Sequence, residues 1–188
     1  KGVLRTQLEH ELPDRLQERL ALDVAHRAAD FRDHHIIIST LSERFKAPEL
    51  GMHSTGQALA AYDPRGCTGM ALTYATPPKG AHHMIATTMG PEIAGGTRLS
   101  YENKGALQKE HQLSMCAVDS LGICSTVRGG FGMGDQAKAF SLTTGMELDI
   151  DGLKLAAERI INLERMYNAR LGFSRKNDTL PKRITHEP

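Results

Sequence analysis

Apolar positions recur at helical spacing in three stretches of the chain. Behind Pro13, whose fixed φ suits a first helical turn, Leu16, Leu20, Val24, Ala28 and Phe31 predict a helix over residues 13–32. Leu107, His111, Met115, Val118 and Leu121 predict another over 103–123. The last is the clearest. Leu153, Ala156, Ile160, Leu163, Tyr167 and Leu171 form one stripe, Asp149 or Asp151 stands at its start as a cap, and Gly172 follows it where a left-handed C-terminal glycine belongs. Lys154 and Glu158, four residues apart, are spaced for a pair on that helix.

The segments between are short and punctuated. Ile36 to Phe45 reads as a short helix or a buried strand, and periodicity does not arbitrate at that length. Residues 46–56 read as a loop broken by Pro48, Gly51 and Gly56, and Asp63-Pro64-Arg65-Gly66 reads as a turn. Gly69 to Thr76 suits a helix that Pro77-Pro78 must end. Residues 90–100 and 128–135, rich in glycine, read as loops. The second is no dinucleotide fingerprint, since G-x-G-x-x-G would require glycine at Asp135 and no strand precedes it. No stretch alternates as a convincing strand. The expected fold is all-α: an irregular multi-helix arrangement with long Gly/Pro-rich loops.

Bulk properties narrow the classes. The 188 residues suffice for one domain or two small ones. Tryptophan is absent and aromatics are 5%, so Leu, Ile, Met and Ala must build the core. With 23 basic and 22 acidic residues, the net charge of +1 makes no electrostatic case for a nucleic-acid or membrane partner. No apolar run approaches the roughly 18 residues of a membrane span. No apolar signal region follows Lys1, no initiator methionine is present, and both ends read as cut from something longer. Three cysteines (Cys67, Cys116, Cys124) without a C-x-x-C pair argue against a disulfide framework or a complete zinc site, and for a reducing, cytoplasmic compartment.

Two places carry candidate chemistry. Taken singly, Cys124 is most simply a small buried hydrophobe, Asp119 a cap or surface charge, and Gly122 a helix end. Together, Asp119-Ser120-Leu121-Gly122-Ile123-Cys124 offers more. The carboxylate accepts from the N–H groups of a heterocycle, the glycine lets a flat ligand approach, and the thiolate binds iron. His83, after Lys79-Gly80, is either a solvent-exposed turn histidine or a proton donor beside a metal-bound substrate. The doublets His34-His35 and His82-His83 do not make a mononuclear metal site, because adjacent residues rarely ligate one ion.

The motifs, taken in order, resemble one family. Tyr62-Asp63-Pro64-Arg65-Gly66, Gly69-Met70, Leu72, Tyr74-Ala75-Thr76, Lys79-Gly80 and His83 are similar to a stretch of the aldehyde:ferredoxin oxidoreductase family of tungsten or molybdenum bis-pterin enzymes. Asp119 to Cys124 resembles its D-x-x-G-L-C motif, and Glu158-Arg159-Ile160 through Arg165, Asn168, Gly172-Phe173 and Asp178 to Arg183 resembles the segment that follows. The resemblance is thinnest over residues 1–45. It implies the family's helical domains 2 and 3, divided here as 1–58 and 59–188, the second truncated. It also implies oxidation of an aldehyde to a carboxylic acid, with electrons passed through a [4Fe–4S] cluster to ferredoxin. Asp119 would hydrogen-bond one pterin of the tungstopterin, lined by Ile123 and Ser125. Lys79 and Gly80 would contact the same pterin, Cys124 would ligate the cluster, and His83 would stand beside metal and substrate.

The departures bound the claim. Ile85 stands where the family is usually basic, and Lys79 where arginine is common, losing a bidentate donor. Residues 32–40 replace a glycine-containing segment. The three further cluster cysteines, C-x-x-C-x-x-x-C, are absent, as are the first pterin motif and the β-rich domain that carries it. The chain is therefore expected to be catalytically silent alone, completed by a missing N-terminal part or a partner chain. The rival expectation is a stand-alone helical scaffold or binding module that keeps the motif residues only for packing.

Overall fold

The structure, a computed structural model, describes residues 36–186. The helix expected over 13–32 lies outside the described residues. Ile36–Arg44, ambiguous in sequence, is a helix, α1. The loop expected over 46–56 contains a minimal hairpin instead of bare coil. Strands β1 (His53–Ser54) and β2 (Gln57–Ala58) pair antiparallel, His53 opposite Ala58 and Ser54 opposite Gln57. Thr55 at φ 48° and Gly56 at φ 86° are both left-handed, as a two-residue hairpin turn requires. Two residues per strand are too few to produce a visible alternation.

Asp63 caps a short 3-10 turn at Pro64–Gly66, its carboxylate accepting from the Arg65 amide. The guanidinium of Arg65 grips the same carboxylate at 2.7 Å and holds its pKa below the ordinary value. Helix α2 (Thr68–Ala75) follows and ends before Pro77-Pro78, as the prolines demand. The expected loop at 90–100 begins as a short helix, α3 (Met89–Ala94). Pro91 is tolerated there because the first-turn amides have no intrahelical partner. A second helix that the glycines hide, α5 (Met133–Thr144), starts where the Gly132 amide donates to the Asp135 carboxylate at 3.1 Å. It stops at Gly145, φ 74°.

Two long helices organise the rest. Helix α4 (Lys104–Ser120) packs on both α2 and α6 (Ile150–Arg170), and α7 (Lys182–His186) closes the described chain. Asp149 is the N-cap of α6, accepting from the Gly152 amide at 2.7 Å. Both long helices end alike. The Gly122 amide bonds to Asp119 O and Ile123 to Val118 O; Gly172 bonds to Ala169 O and Phe173 to Asn168 O. Each is a Schellman motif, with glycine left-handed at C′, φ 67° and 93°.

The core is in two pieces. One gathers Cys67, Met70, Tyr74 and Ala81 under α2; the other gathers Ala117, Ala137 and Leu153 between α4, α5 and α6. The Lys154–Glu158 pair expected within α6 does not form. Lys154 bonds to Glu110 at 2.8 Å and Glu158 to Lys109 at 3.0 Å, so the two charges stitch α6 to α4. All four side chains are well exposed, so solvent screens both bridges and they add little to stability.

The apolar stripe of α6 is also used differently. Leu153 and Ala157 are buried and Ile161 half-buried, whereas Leu163 is 67% and Tyr167 64% exposed, with Met166 and Leu171 beside them. Periodicity finds an apolar face without saying what covers it. Such a contiguous patch favours association. Replacing Leu163 and Tyr167 together by lysine should change the unfolding midpoint little while abolishing concentration-dependent self-association in light scattering. A wild-type chain that stays monomeric at high concentration would refute this.

Candidate functional site

The loop after α2 and the C-terminal half of α4 form the site. Lys79 and Asp119 line one groove of about 260 Å³ with Ile85, Met115, Cys116 and Glu164. Neither Lys79 nor the Asp119 carboxylate makes a hydrogen bond or ion pair among the described residues. Two unpaired opposite charges thus face one open space. The loop is held from behind by α6. Asn168 donates to Pro78 O, and Arg165 donates to Thr76 O while clasping Asp178 with two hydrogen bonds of 3.0 and 2.8 Å.

Gly80 is buried at φ 86°. A Cβ there would stand 2.8 Å from Gln57 Cβ and 3.0 Å from Ser54 O, so the hairpin accounts for the glycine. Gly80 and Lys79 also line a second groove of about 370 Å³, toward Arg165, Asn168 and Phe173. His83 begins the 3-10 turn His83–Ile85, which packs against α4. Its ring lies 5.4 Å from that of His82, nearly parallel, and 5.3 Å from that of Tyr62, tilted by 53°.

Cys124, Ile123 and Ser125 lie beyond the end of α4 and do not line the Lys79–Asp119 groove. The Schellman turn sends Ile123 back toward Val118 and leaves Cys124 exposed. The Thr126 hydroxyl, 3.0 Å from Sγ, lowers the thiol's pKa below its ordinary value. The other two thiols are pushed up by burial. Among the described residues no group of three or more His, Cys, Asp or Glu could hold a metal ion.

The chain matches the family described as aldehyde ferredoxin oxidoreductase, domains 2 & 3, over residues 38–188. It belongs to that family. Its aldehyde ferredoxin oxidoreductase relatives include tungsten-containing enzymes of Pyrococcus abyssi and Pyrococcus furiosus, each 32% identical over 154 residues and 79% of this chain. The enzyme of Thermococcus kodakarensis is likewise 32% identical over 154 residues, 78% of this chain. These matches cover 25%, 26% and 25% of the three relatives, so the chain spans about a quarter of their length. The helical architecture agrees with the family's domains 2 and 3. No described helix is long and apolar enough to cross a membrane.

The residues present fit part of what a tungsten aldehyde ferredoxin oxidoreductase must hold. An unpaired carboxylate opposite an unpaired ammonium suits a heterocycle bearing both donors and acceptors. An open thiol of lowered pKa suits iron. One exposed thiol by itself falls short of the four thiolates that hold a [4Fe–4S] cluster.

Sequence reasoning missed His82. Its Nδ1 accepts from the Met84 amide at 3.3 Å, and burial, then Lys79 and His83, lower its pKa against the opposing pull of Asp119. His111 on α4 is lowered by burial and by Arg128, and its Nδ1 is buried without a partner among the described residues. In both rings the folded surroundings disfavour the charged form. A histidine pKa lowered by folding gives stability that is complete above 6.5 and is lost as pH falls through the window below it. Urea midpoints should therefore drop from pH 7 to pH 5, and His82→Asn with His111→Gln should flatten the drop. A midpoint rising over that range would contradict the assignment.

Burial also pushes the phenol of Tyr74 up to about 12, and its hydroxyl has no partner among the described residues. Tyr74→Phe should leave stability unchanged or raise it, since it removes a buried unsatisfied group. A loss of more than about 1 kcal/mol would reveal a partner for that hydroxyl.

Proposed function

We propose that this chain forms one side of the cofactor site in a tungsten- or molybdenum-pterin enzyme that oxidises aldehydes to carboxylic acids, with ferredoxin as electron acceptor. Asp119 accepts from one pterin, lined by Ile123 and Ser125. Lys79 and the Gly80 backbone contact the same pterin. Cys124 supplies one ligand of a [4Fe–4S] cluster, and His83 stands beside metal and substrate, where its ring can hold or release a proton. When bound, the metallopterin and cluster supply the redox chemistry, and the protein positions and tunes them. The division at residue 58, the requirement for an N-terminal part or partner chain bearing the other cluster cysteines, a cytoplasmic setting and inactivity of the chain alone belong to the same proposal.

One observation carries this reading. Asp119 and Cys124 are exposed instead of packed against leucine or isoleucine, and Asp119 shares its groove with Lys79. A motif kept only for packing would bury them. The rival, a non-catalytic scaffold, draws on Gly80 and Gly122, whose identities the hairpin and the helix end explain without a ligand.

Metal analysis of anaerobically purified protein, with its intact mass, separates the two. Stoichiometric tungsten or molybdenum with about four iron atoms, on a longer polypeptide or with a cysteine-bearing partner, supports the enzyme. Cys124→Ser should then lower the iron content while the tungsten remains. A longer polypeptide, or a complex with a cysteine-bearing partner, that is free of all three metals would overturn the proposal, whereas the isolated 20.6 kDa chain is expected to carry none of them.

A further inference from the structure

The rings of Tyr62, His82 and His83 lie together, and of the three only His83 has been given a task. His83 makes no side-chain hydrogen bond among the described residues; its carbonyl accepts from Thr87, but its ring is held only by ring contacts. One contact is to Tyr62, which is 47% exposed. The other is to His82, half-buried, whose rings meet at 18°.

His82 is anchored where His83 is not. It is the N-cap of the turn that carries His83, and its Nδ1 accepts from the Met84 amide. That bond requires a lone pair on Nδ1, so the neutral ring keeps its proton on Nε2. Lys79 from the preceding loop, the neighbouring His83 and Asp119 from α4 act on this ring, and Lys79 and Asp119 are among the residues that line the groove.

We infer that His82 is a positioning residue: tied to the backbone of its own turn, it orients the imidazole of His83 by stacking. The functional meaning of the orientation rests on the reading of His83 given above; the orientation itself does not. Fixing χ1 and χ2 of a residue that acts by geometry removes its rotamer search before substrate arrives.

The test uses two variants of the full 188-residue chain with labelled histidine. His82→Asn keeps an acceptor for the Met84 amide and removes the ring. His82→Phe keeps a ring to stack and removes the acceptor. The readout is the nuclear Overhauser contact between the rings of Tyr62 and His83, with the unfolding midpoint as a folding control. A positioning role predicts severalfold loss of that contact in His82→Asn and its retention in His82→Phe. A contact that survives in His82→Asn, or that is lost in His82→Phe while kept in His82→Asn, overturns the inference. The measurement needs no cofactor, so its failure is distinct from an absence of tungsten and iron.

Discussion

Lys104→Met should destabilise the protein by about 3–5 kcal/mol, a large part of the roughly 5–15 kcal/mol that holds a domain folded. Glu92 is fully buried on α3, and Lys104 is 6% exposed at the start of α4. The lysine ammonium is the carboxylate's ion-pair partner and also donates to Thr97 O at 2.8 Å. The Gly69 amide donates to one carboxylate oxygen at 2.9 Å and the Thr88 hydroxyl to the other at 3.0 Å. Glu92 therefore ties the first turn of α2, α3 and the start of α4 together. Removing the lysine leaves a buried charge with only neutral donors. Glu92→Gln alone strands the ammonium instead. The double variant Glu92→Gln/Lys104→Met keeps an acceptor for the Gly69 amide, lets the Thr88 hydroxyl turn to accept from the new NH2 and buries no charge, so it should recover much of the loss. Urea unfolding of the four proteins gives the coupling directly. A coupling below about 0.5 kcal/mol would show that the pair is not the tie described here.

Nothing in the spacing of Glu92 announces this. It stands in a Gly/Pro-rich stretch that reads as a loop, and burial of a glutamate is a tertiary fact that local pattern does not carry. The same limit explains α5, whose start is hidden among four glycines, and the stripe of α6, whose apolar face is real but largely uncovered. What local chemistry decides was legible: the proline stop after α2, an aspartate cap at Asp149 or Asp151, of which the chain uses Asp149, and Gly172 as a left-handed helix end, whereas Gly122 could equally have been a close-packing site. The site was legible in a different way. Lys79 and Asp119 are forty residues apart, and only family resemblance placed them together; the structure puts both on one groove. His82 escaped because its role is a stack and a backbone bond, neither of which has a sequence signature.

Gly80→Ala should cost about 2–3 kcal/mol, roughly 1 kcal/mol more than Gly122→Ala, although both glycines are left-handed. An L-residue at positive φ costs about 1–2 kcal/mol at either place. At Gly122 nothing lies within 4 Å of an added Cβ, so that penalty is the whole effect. At Gly80 the new atom would meet Gln57 Cβ at 2.8 Å, Thr55 Oγ1 at 2.9 Å and the Ser54 carbonyl at 3.0 Å. Two of these are atoms close to the hairpin backbone and cannot rotate away. The Ser54 carbonyl also accepts from Ala81 at 3.3 Å, and the Ser54 hydroxyl donates to Thr179 O at 2.7 Å. The hairpin is thus fixed on both sides, and the loop must yield. Movement of the loop carries Lys79 away from Asp119 and strains the Asn168 bond to Pro78. Thermal unfolding should rank the variants wild type, Gly122→Ala, Gly80→Ala, and protection of the Lys79 to Ala81 amides from hydrogen exchange should fall only in the last. Equal midpoints for the two variants would mean that the hairpin does not brace the loop, and the site would then owe its shape to α6 alone.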